Sequence, residues 1–112
     1  MDCLFCKIAG GEIPSEIVYE DEWIIGFKDI SPVAPNHILF ITKAHYANIN
    51  ELSENPKDLT ALFEAIRKYT LQEGLSEDGF RIVSNLGVRA QQSVPHVHVH
   101  VIGGRDLQWP PG

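Results

Sequence analysis

Three histidines near the end of the chain, His96, His98 and His100, alternate with valines within residues 95–102. Successive side chains of a β-strand point to opposite faces, so the three imidazoles share one face and the valines share the other. A solvated strand face usually carries Thr, Lys, Glu or Ser, whereas three aligned imidazoles all titrate near neutrality. The spacing leaves two chemical hypotheses open. One is a three-histidine metal site with an open position. The other is nucleophilic catalysis by one imidazole whose neighbours fix its tautomer and handle protons.

The elements that must position these histidines follow from apolar patterning and turn signals. We predict strands over residues 16–20, 23–28, 37–42, 79–85 and 95–103, with the first two forming a hairpin. The third is almost continuously apolar, which indicates a central strand covered on both faces. A short helical turn is predicted before the pair Gly10-Gly11.

One long helix is predicted to begin at Asn55, a good N-cap followed by proline, and to end at Gly74. Its expected apolar stripe consists of Leu59, Leu62, Phe63, Ile66 and Thr70. The fold class is therefore α+β, with a five-stranded antiparallel sheet, one long helix and a short N-terminal helix. The valines of the last strand should face the long helix, and the histidines should look into an open cleft.

The composition limits the function classes. The chain has 112 residues, enough for a single domain spanning residues 1–112. A net charge of −6 argues against a nucleic-acid partner. There is no membrane-spanning apolar run and no signal-peptide layout, and two cysteines at Cys-x-x-Cys spacing do not indicate an extracellular disulfide framework. We therefore expect a cytoplasmic protein with no membrane partner.

The pattern His-Val-His-Val-His-Val-Ile at residues 96–102 resembles that of the histidine triad (HIT) proteins. The similarity covers essentially the whole chain, and the tail Trp109-Pro110-Pro111-Gly112 resembles the Hint branch, the nucleoside phosphoramidate hydrolases. The other matching segments are Phe5-Cys6-Lys7-Ile8, Gly11-Glu12-Ile13-Pro14, Phe27-Lys28-Asp29-Ile30-Ser31-Pro32, Ala34-Pro35-Asn36-His37, Asn85, Gln92-Ser93 and Gly103-Gly104-Arg105.

This resemblance implies hydrolysis of the P–N bond of purine nucleoside 5′-phosphoramidates, with no cofactor required for the chemistry. His98 would attack the α-phosphorus and form a nucleotidyl-imidazole intermediate that water then hydrolyses. His100 would hydrogen-bond a phosphate oxygen, and His96 would orient His98 through its backbone carbonyl. His37 would be a proton partner behind the triad, and Ser93 would contact the leaving group.

The resemblance also assigns the substrate contacts. Asp29 would accept hydrogen bonds from the ribose hydroxyls, and Asn85 and Gln92 would lie at the phosphate and ribose side of the site. Trp109 would reach, with the C-terminal tail, toward the site of the partner in a homodimer whose two sheets join. The expected walls of the base pocket are Phe5, Ile8, Phe27, Ile30 and Leu39.

A second constellation combines Cys3 and Cys6 with His45 and His96, a ligand set that suits a tetrahedral structural zinc ion. Several bacterial relatives hold zinc in this way, so the resemblance implies that His96 is both a metal ligand and the neighbour that orients His98. Two alternatives stay open, namely free thiols in a short helix and a thioredoxin-like redox pair, although the βαβ context of the latter is missing.

The sequence departs from the usual Hint pattern at three positions. Gln91 stands where a glycine normally lets a backbone amide approach phosphate, Pro95 replaces an apolar residue, and Thr42 stands where proline is common. Other functions are therefore kept as alternatives. They are dinucleoside polyphosphate hydrolysis, which the Trp109 tail argues against; nucleotidyl transfer, which His100 argues against; and a nucleotide-binding or scaffold module with vestigial activity.

Overall fold

A computed structural model describes residues 3–112 of the chain. The strands are β1 (Ile17–Glu20), β2 (Ile24–Lys28), β3 (Asn36–Thr42), β4 (Phe80–Val83) and β5 (His98–Gly103). The helices are α1 (Leu4–Ala9), α2 (Ile49–Leu52), α3 (Pro56–Gln72) and α4 (Leu75–Asp78). All neighbouring strands are antiparallel and follow the order β1-β2-β3-β5-β4. The predicted α+β class, the β1–β2 hairpin and the central position of β3 are confirmed.

The helix α3 begins as the sequence predicts. The Asn55 side chain accepts a hydrogen bond from the Asp58 backbone amide at 3.2 Å, and Pro56 occupies the first turn. The helix ends at Gln72, because Gly74 adopts a φ of +75° and starts α4 instead. The predicted stripe is wrong at Phe63, which is 45% exposed, because residue 63 lies about 100° around the helix from the buried position 62.

The two faces of the sheet have different covers. Val97, Val99 and Val101 pack with Leu62 and Ile66 of α3, as predicted. The histidine face is covered in part by α1, and a second apolar cluster lies there, made up of Cys3, Phe5, Ile8, Ile25, Phe27, Leu39 and Ile41. The expectation of an open cleft is therefore wrong for His96 and His98, which are 0% and 4% exposed.

The predicted bounds of two strands are wrong, and two short helices were not predicted. β5 begins at His98 and not at Pro95, because the amides of His96 and Val97 donate to the carbonyls of Val94 and Tyr46 at 2.8 and 2.6 Å and not to a strand partner. β4 is also shorter than predicted. The four-residue helices α2 and α4 were not predicted, since elements this short carry no periodicity. Within residues 3–112 no helix has the length and apolar character needed to cross a membrane.

Candidate active site

The imidazole of His98 is held in one tautomer. Its Nδ1 lies 2.8 Å from the backbone carbonyl oxygen of His96. A carbonyl oxygen can only accept, so the neutral ring carries its proton on Nδ1 and leaves the lone pair of Nε2 free. The Ser84 hydroxyl donates to the backbone carbonyl of His98 at 2.9 Å, and the edge of the Phe5 ring packs against the imidazole, with the ring centres 5.0 Å apart. The arrangement presents Nε2 as a nucleophile.

The neighbouring imidazole of His100 is held in the opposite tautomer. The amide of Val33 donates to His37 Nδ1 at 3.1 Å, so neutral His37 carries its proton on Nε2. That Nε2 lies 2.9 Å from His100 Nδ1 and donates to it, which places the His100 proton on Nε2. Burial, followed by the charges of His98 and His37, lowers the pKa of His100 to about 4. His100 is therefore a neutral hydrogen-bond donor next to the Nε2 lone pair of His98.

Asp29 lies at the edge of this histidine pair. Its Oδ2 is 3.4 Å from His37 Nε2 and 4.0 Å from His100 Nδ1, and its Oδ1 accepts the Ser31 amide at 2.8 Å. The side chain is 16% exposed. The carboxylate is thus anchored at the start of the loop between β2 and β3, with one oxygen toward the histidines.

The loop between β4 and β5 is held by the amide group of Gln92. Its Nε2 donates to the carbonyls of Ala47 and Val94 at 2.7 and 3.1 Å, and its Oε1 accepts the Gly87 amide at 3.1 Å. Gln92 therefore acts within the loop itself, and its predicted contact with substrate stays a prediction. The adjacent Gln91 has a φ of +60°, the left-handed conformation for which glycine is the usual residue. Ser93 is exposed and Asn85 is partly buried in the same loop region.

The residues predicted to wall the base pocket fall into two groups. Phe5, Ile8, Phe27 and Leu39 belong to one cluster beside the histidine face, and the ring centres of Phe5 and Phe27 are 5.6 Å apart. Ile30 is 99% exposed, so the chain by itself does not pack it into that wall.

Trp109 is 80% exposed and contacts Arg81, whose guanidinium carbon lies 5.9 Å from the ring centre. Arg81 also donates to the backbone carbonyl of Gln108 at 3.0 Å. The tail is thus held against β4, and the reach of Trp109 toward a partner's site stays a prediction.

Four predicted metal ligands do converge. The ligand atoms of Cys3, Cys6, His45 and His96 lie within 4.8 Å of one another. His96 Nε2 donates to the Thr42 carbonyl at 2.8 Å, which leaves Nδ1 bare toward the Cys3 and Cys6 sulfurs at 3.4 and 3.5 Å. His45 Nδ1 is 3.3 Å from the Cys6 sulfur. Tetrahedral zinc requires a sulfur-to-nitrogen separation of about 3.5 Å, so this donor set fits the ion.

Among the described residues, the ligand atoms of His96, His98 and His100 do not converge as one group. Among residues 3–112, only one further group of acidic, thiol or imidazole ligands converges, namely Asp29, His37 and His100. In that group the facing nitrogens of His37 and His100 already share a proton between them, because the Val33 amide occupies the other nitrogen of His37. Hydrogen bonding accounts for these contacts, and the three-histidine metal hypothesis gains no support from the geometry.

The His96 carbonyl lies beside His98 Nδ1, as the resemblance implies, whereas the contributions of the Val33 amide, the Thr42 carbonyl and Ser84 were not predicted. The Val33 amide and the Thr42 carbonyl each fix a histidine tautomer. Both are main-chain groups, so the side-chain types in the sequence do not indicate their roles. Ser84 supports the carbonyl of His98 and follows β4 directly. Its position beside β5 depends on the pairing of Val83 with His100, which requires the register of the sheet.

Comparison with known proteins agrees with this geometry. The family model described as the HIT domain matches residues 10–107. A 14 kDa zinc-binding protein of Brassica juncea is 46% identical, with 99% of this chain and 100% of that protein covered. Purine nucleoside phosphoramidase of Escherichia coli K12 is 41% identical over 95% and 90% of the two chains. Adenylylsulfatase HINT1 of Arabidopsis thaliana is 45% identical over 97% and 76%.

The fold is shared with solved structures as well. A HIT family hydrolase from Legionella pneumophila superposes with a TM-score of 0.94 at 46% identity, covering 99% of this chain and 100% of that one. The chain therefore belongs to the HIT family, and it is a hydrolase of that family.

Proposed function

We propose that the chain hydrolyses the P–N bond of purine nucleoside 5′-phosphoramidates, adenosine derivatives included, through a covalent intermediate on His98. The observation that carries the proposal is the hydrogen bond between His98 Nδ1 and the His96 carbonyl at 2.8 Å. It leaves Nε2 as a nucleophile beside the proton donor His100. The phosphoramidase from Escherichia coli, at 41% identity, supports the choice of substrate class.

In the first step the lone pair of His98 Nε2 attacks the α-phosphorus, and the P–N bond to the leaving amine breaks. The electron pair of that bond goes to the amine, which Ser93 would contact and which takes up a proton from water. His98 becomes a nucleotidyl-imidazolium, because Nδ1 keeps its proton. The carbonyl of His96 accepts a hydrogen bond from this cation and stabilises it.

In the second step water attacks the same phosphorus, and the P–Nε2 bond breaks with its electrons returning to the ring. The nucleoside monophosphate leaves, and the water proton passes to solvent. His100 Nε2–H would stabilise charge on a non-bridging oxygen in both steps, in a site where its pKa of about 4 keeps it neutral. Asp29 would accept hydrogen bonds from the ribose hydroxyl groups.

Rapid mixing of the protein with adenosine 5′-phosphoramidate, quenched and read by intact mass, tests the proposal. We expect a transient gain of one AMP on the wild type and none on His98→Ala. Lys57→Ala is the matched control, because Lys57 is exposed at the start of α3 and lies outside the site, so this variant should still form the adduct. No turnover and no adduct, with AMP still bound, would instead indicate a nucleotide-binding module.

Adenylyl sulfate is a second candidate substrate, favoured by the name of the Arabidopsis relative. Both substrates would give the same nucleotidyl-His98 intermediate and differ only in the leaving group. The ratio of kcat/KM for the phosphoramidate, adenylyl sulfate and a dinucleoside polyphosphate assigns the preference. We expect the phosphoramidate to be highest.

A structural zinc ion would be held by Cys3, Cys6, His45 and His96. Such an ion would supply a fixed cross-link between α1, the segment after β3 and the segment before β5. Burial, and then the hydrogen bond and charge of Cys3, raise the pKa of the Cys6 thiol, so metal binding must release that proton. The zinc-binding relative from Brassica juncea supports this proposal. Elemental analysis of the purified protein should give one zinc per chain, and the Cys6→Ser variant should contain no zinc.

We also propose a homodimer, with a purine nucleotide as the substrate of each chain. β4 is an edge strand with one hydrogen-bonded neighbour, and Phe80 and Ile82 on it are 39% and 42% exposed. Phe63 of α3 adds further exposed apolar surface. Light scattering should give twice the chain mass for the wild type, and Ile82→Lys should yield monomer. Lys57→Ala, on α3, is the control that should remain dimeric.

A further inference from the structure

Three hydrogen bonds connect Arg105, which follows β5, to His100 within it. Arg105 Nε donates to the Val33 carbonyl at 2.9 Å. The Val33 amide donates to His37 Nδ1 at 3.1 Å, and His37 Nε2 lies 2.9 Å from His100 Nδ1. Arg105 therefore binds the carbonyl of Val33, and the amide of the same residue determines which ring nitrogen of His37 carries the proton. The side-chain hydrogen bonds within residues 3–112 join neither Arg105 nor Val33 to His98.

The direction of each bond is dictated by chemistry. An arginine N–H and a backbone N–H can only donate, so His37 Nδ1 must accept. The alternative state follows if the Val33 amide moves away. His37 is then free to carry its proton on Nδ1, and His100 Nδ1–H donates to His37 Nε2. The lone pair of His100 Nε2 would then face a phosphate oxygen and repel it.

The loop that carries Val33 buries little of its apolar surface. It runs between β2 and β3, and its apolar side chains Ile30 and Val33 are 99% and 55% exposed. The turn that leads to Arg105 packs against the other end of this loop. Gly104 has a φ of +93°, and a Cβ built there would lie 3.0 Å from Pro35 Cβ. Gly104 thus permits the close approach that brings Arg105 over the loop.

We propose that Arg105 is a positioning residue that sets the tautomer of His100, by holding Val33 where its amide binds His37. The effect on turnover rests on the proposed function, whereas the tautomer is a property of the protein without substrate. Arg105 also donates through Nη1 to the Asp106 carbonyl at 2.8 Å, which orders its own side chain.

Ring-nitrogen NMR of ¹⁵N-labelled protein, at a pH where the imidazoles are neutral, tests this directly. In the wild type we expect His100 to be protonated on Nε2 and His98 on Nδ1. In Arg105→Ala, His100 should shift to the Nδ1–H form or to a mixture, while His98 stays unchanged because the His96 carbonyl fixes it. Arg105→Lys, which can still donate to the Val33 carbonyl, should keep most of the Nε2–H form. Lys57→Ala removes a distant exposed cation and should change neither ring.

Val33→Pro removes the amide donor and leaves Arg105 in place, so it provides a second variant if Arg105→Ala does not fold. It should give the same shift at His100. With the phosphoramidate substrate, we expect kcat of Arg105→Ala to fall about tenfold and KM to change less than about twofold, since the missing donor acts mainly on transition-state charge.

Retention of pure Nε2–H on His100 in a folded Arg105→Ala variant would overturn the proposal, whatever the activity, and so would its retention in Val33→Pro if Arg105→Ala does not fold. A tautomer shift with unchanged turnover would support the positioning role of Arg105 and would count against the assignment of His100 to the phosphate. The two proposals can therefore fail separately.

Discussion

His98 and His100 are two residues apart on one strand, and hydrogen bonding holds them in opposite tautomers. The His96 carbonyl fixes the proton of His98 on Nδ1 at 2.8 Å. The nitrogen of His37 that faces His100 Nδ1 at 2.9 Å carries a proton, which directs the proton of His100 to Nε2. One ring therefore offers a lone pair and the next offers a proton. A nucleophile and a donor to the developing phosphate charge need this division of roles.

The donor role of His100 predicts a graded response to substitution. Replacement of His100 by Ala should lower kcat for the phosphoramidate by roughly 100-fold, the usual loss for one donor aimed at transition-state charge. His100→Gln keeps an N–H donor of similar reach and should lose only about tenfold. Steady-state kinetics check both values. Equal losses in the two variants would show that the hydrogen bond is not what His100 contributes.

The lowered pKa of His100 predicts a pH dependence of stability. Its pKa falls from 6.5 to about 4 in the folded protein, mainly through burial. The unfolded chain therefore takes up a proton at a higher pH than the folded one, so stability falls as the pH falls from about 6.5 to about 4. The full shift corresponds to roughly 3 kcal/mol, which solvent screening of a partly exposed ring reduces to about 1–2 kcal/mol.

Urea unfolding of the wild type and His100→Gln across that window measures this contribution. The carboxylates titrate in both proteins, so the difference between the two curves isolates His100. We expect the wild type to lose about 1–2 kcal/mol more than the variant on going from neutral pH to pH about 4. Parallel curves would contradict the placement of a largely buried, neutral imidazole at this position.

Removal of metal should destabilise the protein more than it changes the chemistry. The four candidate ligands tie α1 to the segments that flank β3 and β5, and structural zinc contributes directly to folding free energy. We expect a chelator to lower Tm by several degrees and to loosen the packing of Phe5 on His98. Cys6→Ser should melt at the chelated temperature with or without chelator. A chelator that abolishes activity without changing Tm would point to a metal in the reaction.

The strand pattern at residues 96–102 was sufficient to predict which residues share each face, because a period of two is fixed by backbone geometry. The long helix was predictable for a similar reason, since Asn55 and Pro56 are local start signals. Phe63 was wrongly assigned to the buried face of the helix, because the spacing of apolar residues does not determine how wide that face is. The convergence of Cys3 and Cys6 with His45 and His96 needed the resemblance, since these residues are far apart in the chain.

The tautomers could not be predicted from side-chain types. The tautomers of His100 and His96 depend on the Val33 amide and the Thr42 carbonyl, main-chain groups whose direction is set by tertiary packing, and the role of the His96 carbonyl was known only through the resemblance. Thr42 is an example, because the sequence shows only that threonine stands where proline is common and does not indicate that its carbonyl fixes a tautomer. Its hydroxyl donates to the Ala44 carbonyl at 2.7 Å, and its own carbonyl accepts a hydrogen bond from His96 Nε2. The role of the exposed Trp109 at a partner's site stays a prediction, since it depends on contacts with a second chain.

Gln91 provides a last test, because its backbone has the conformation that glycine adopts most easily. The φ of +60° costs a residue with a Cβ roughly 1 kcal/mol. Glycine removes that strain and loses part of the gain to the greater freedom of the unfolded chain. Gln91→Gly should therefore change the free energy of unfolding by between zero and about +1 kcal/mol. Gln91→Val, with a β-branched side chain, should destabilise by more than about 1 kcal/mol.

The two variants should also differ in activity if the backbone at residue 91 lies beside the bound phosphate. Gln91→Gly opens the space beside the backbone and should lower KM for the phosphoramidate about two- to threefold, with kcat nearly unchanged, as expected for uniform binding. Chemical denaturation and steady-state kinetics on the same preparations measure both effects. A destabilised Gln91→Gly variant would show that residue 91 does not hold the left-handed conformation in solution.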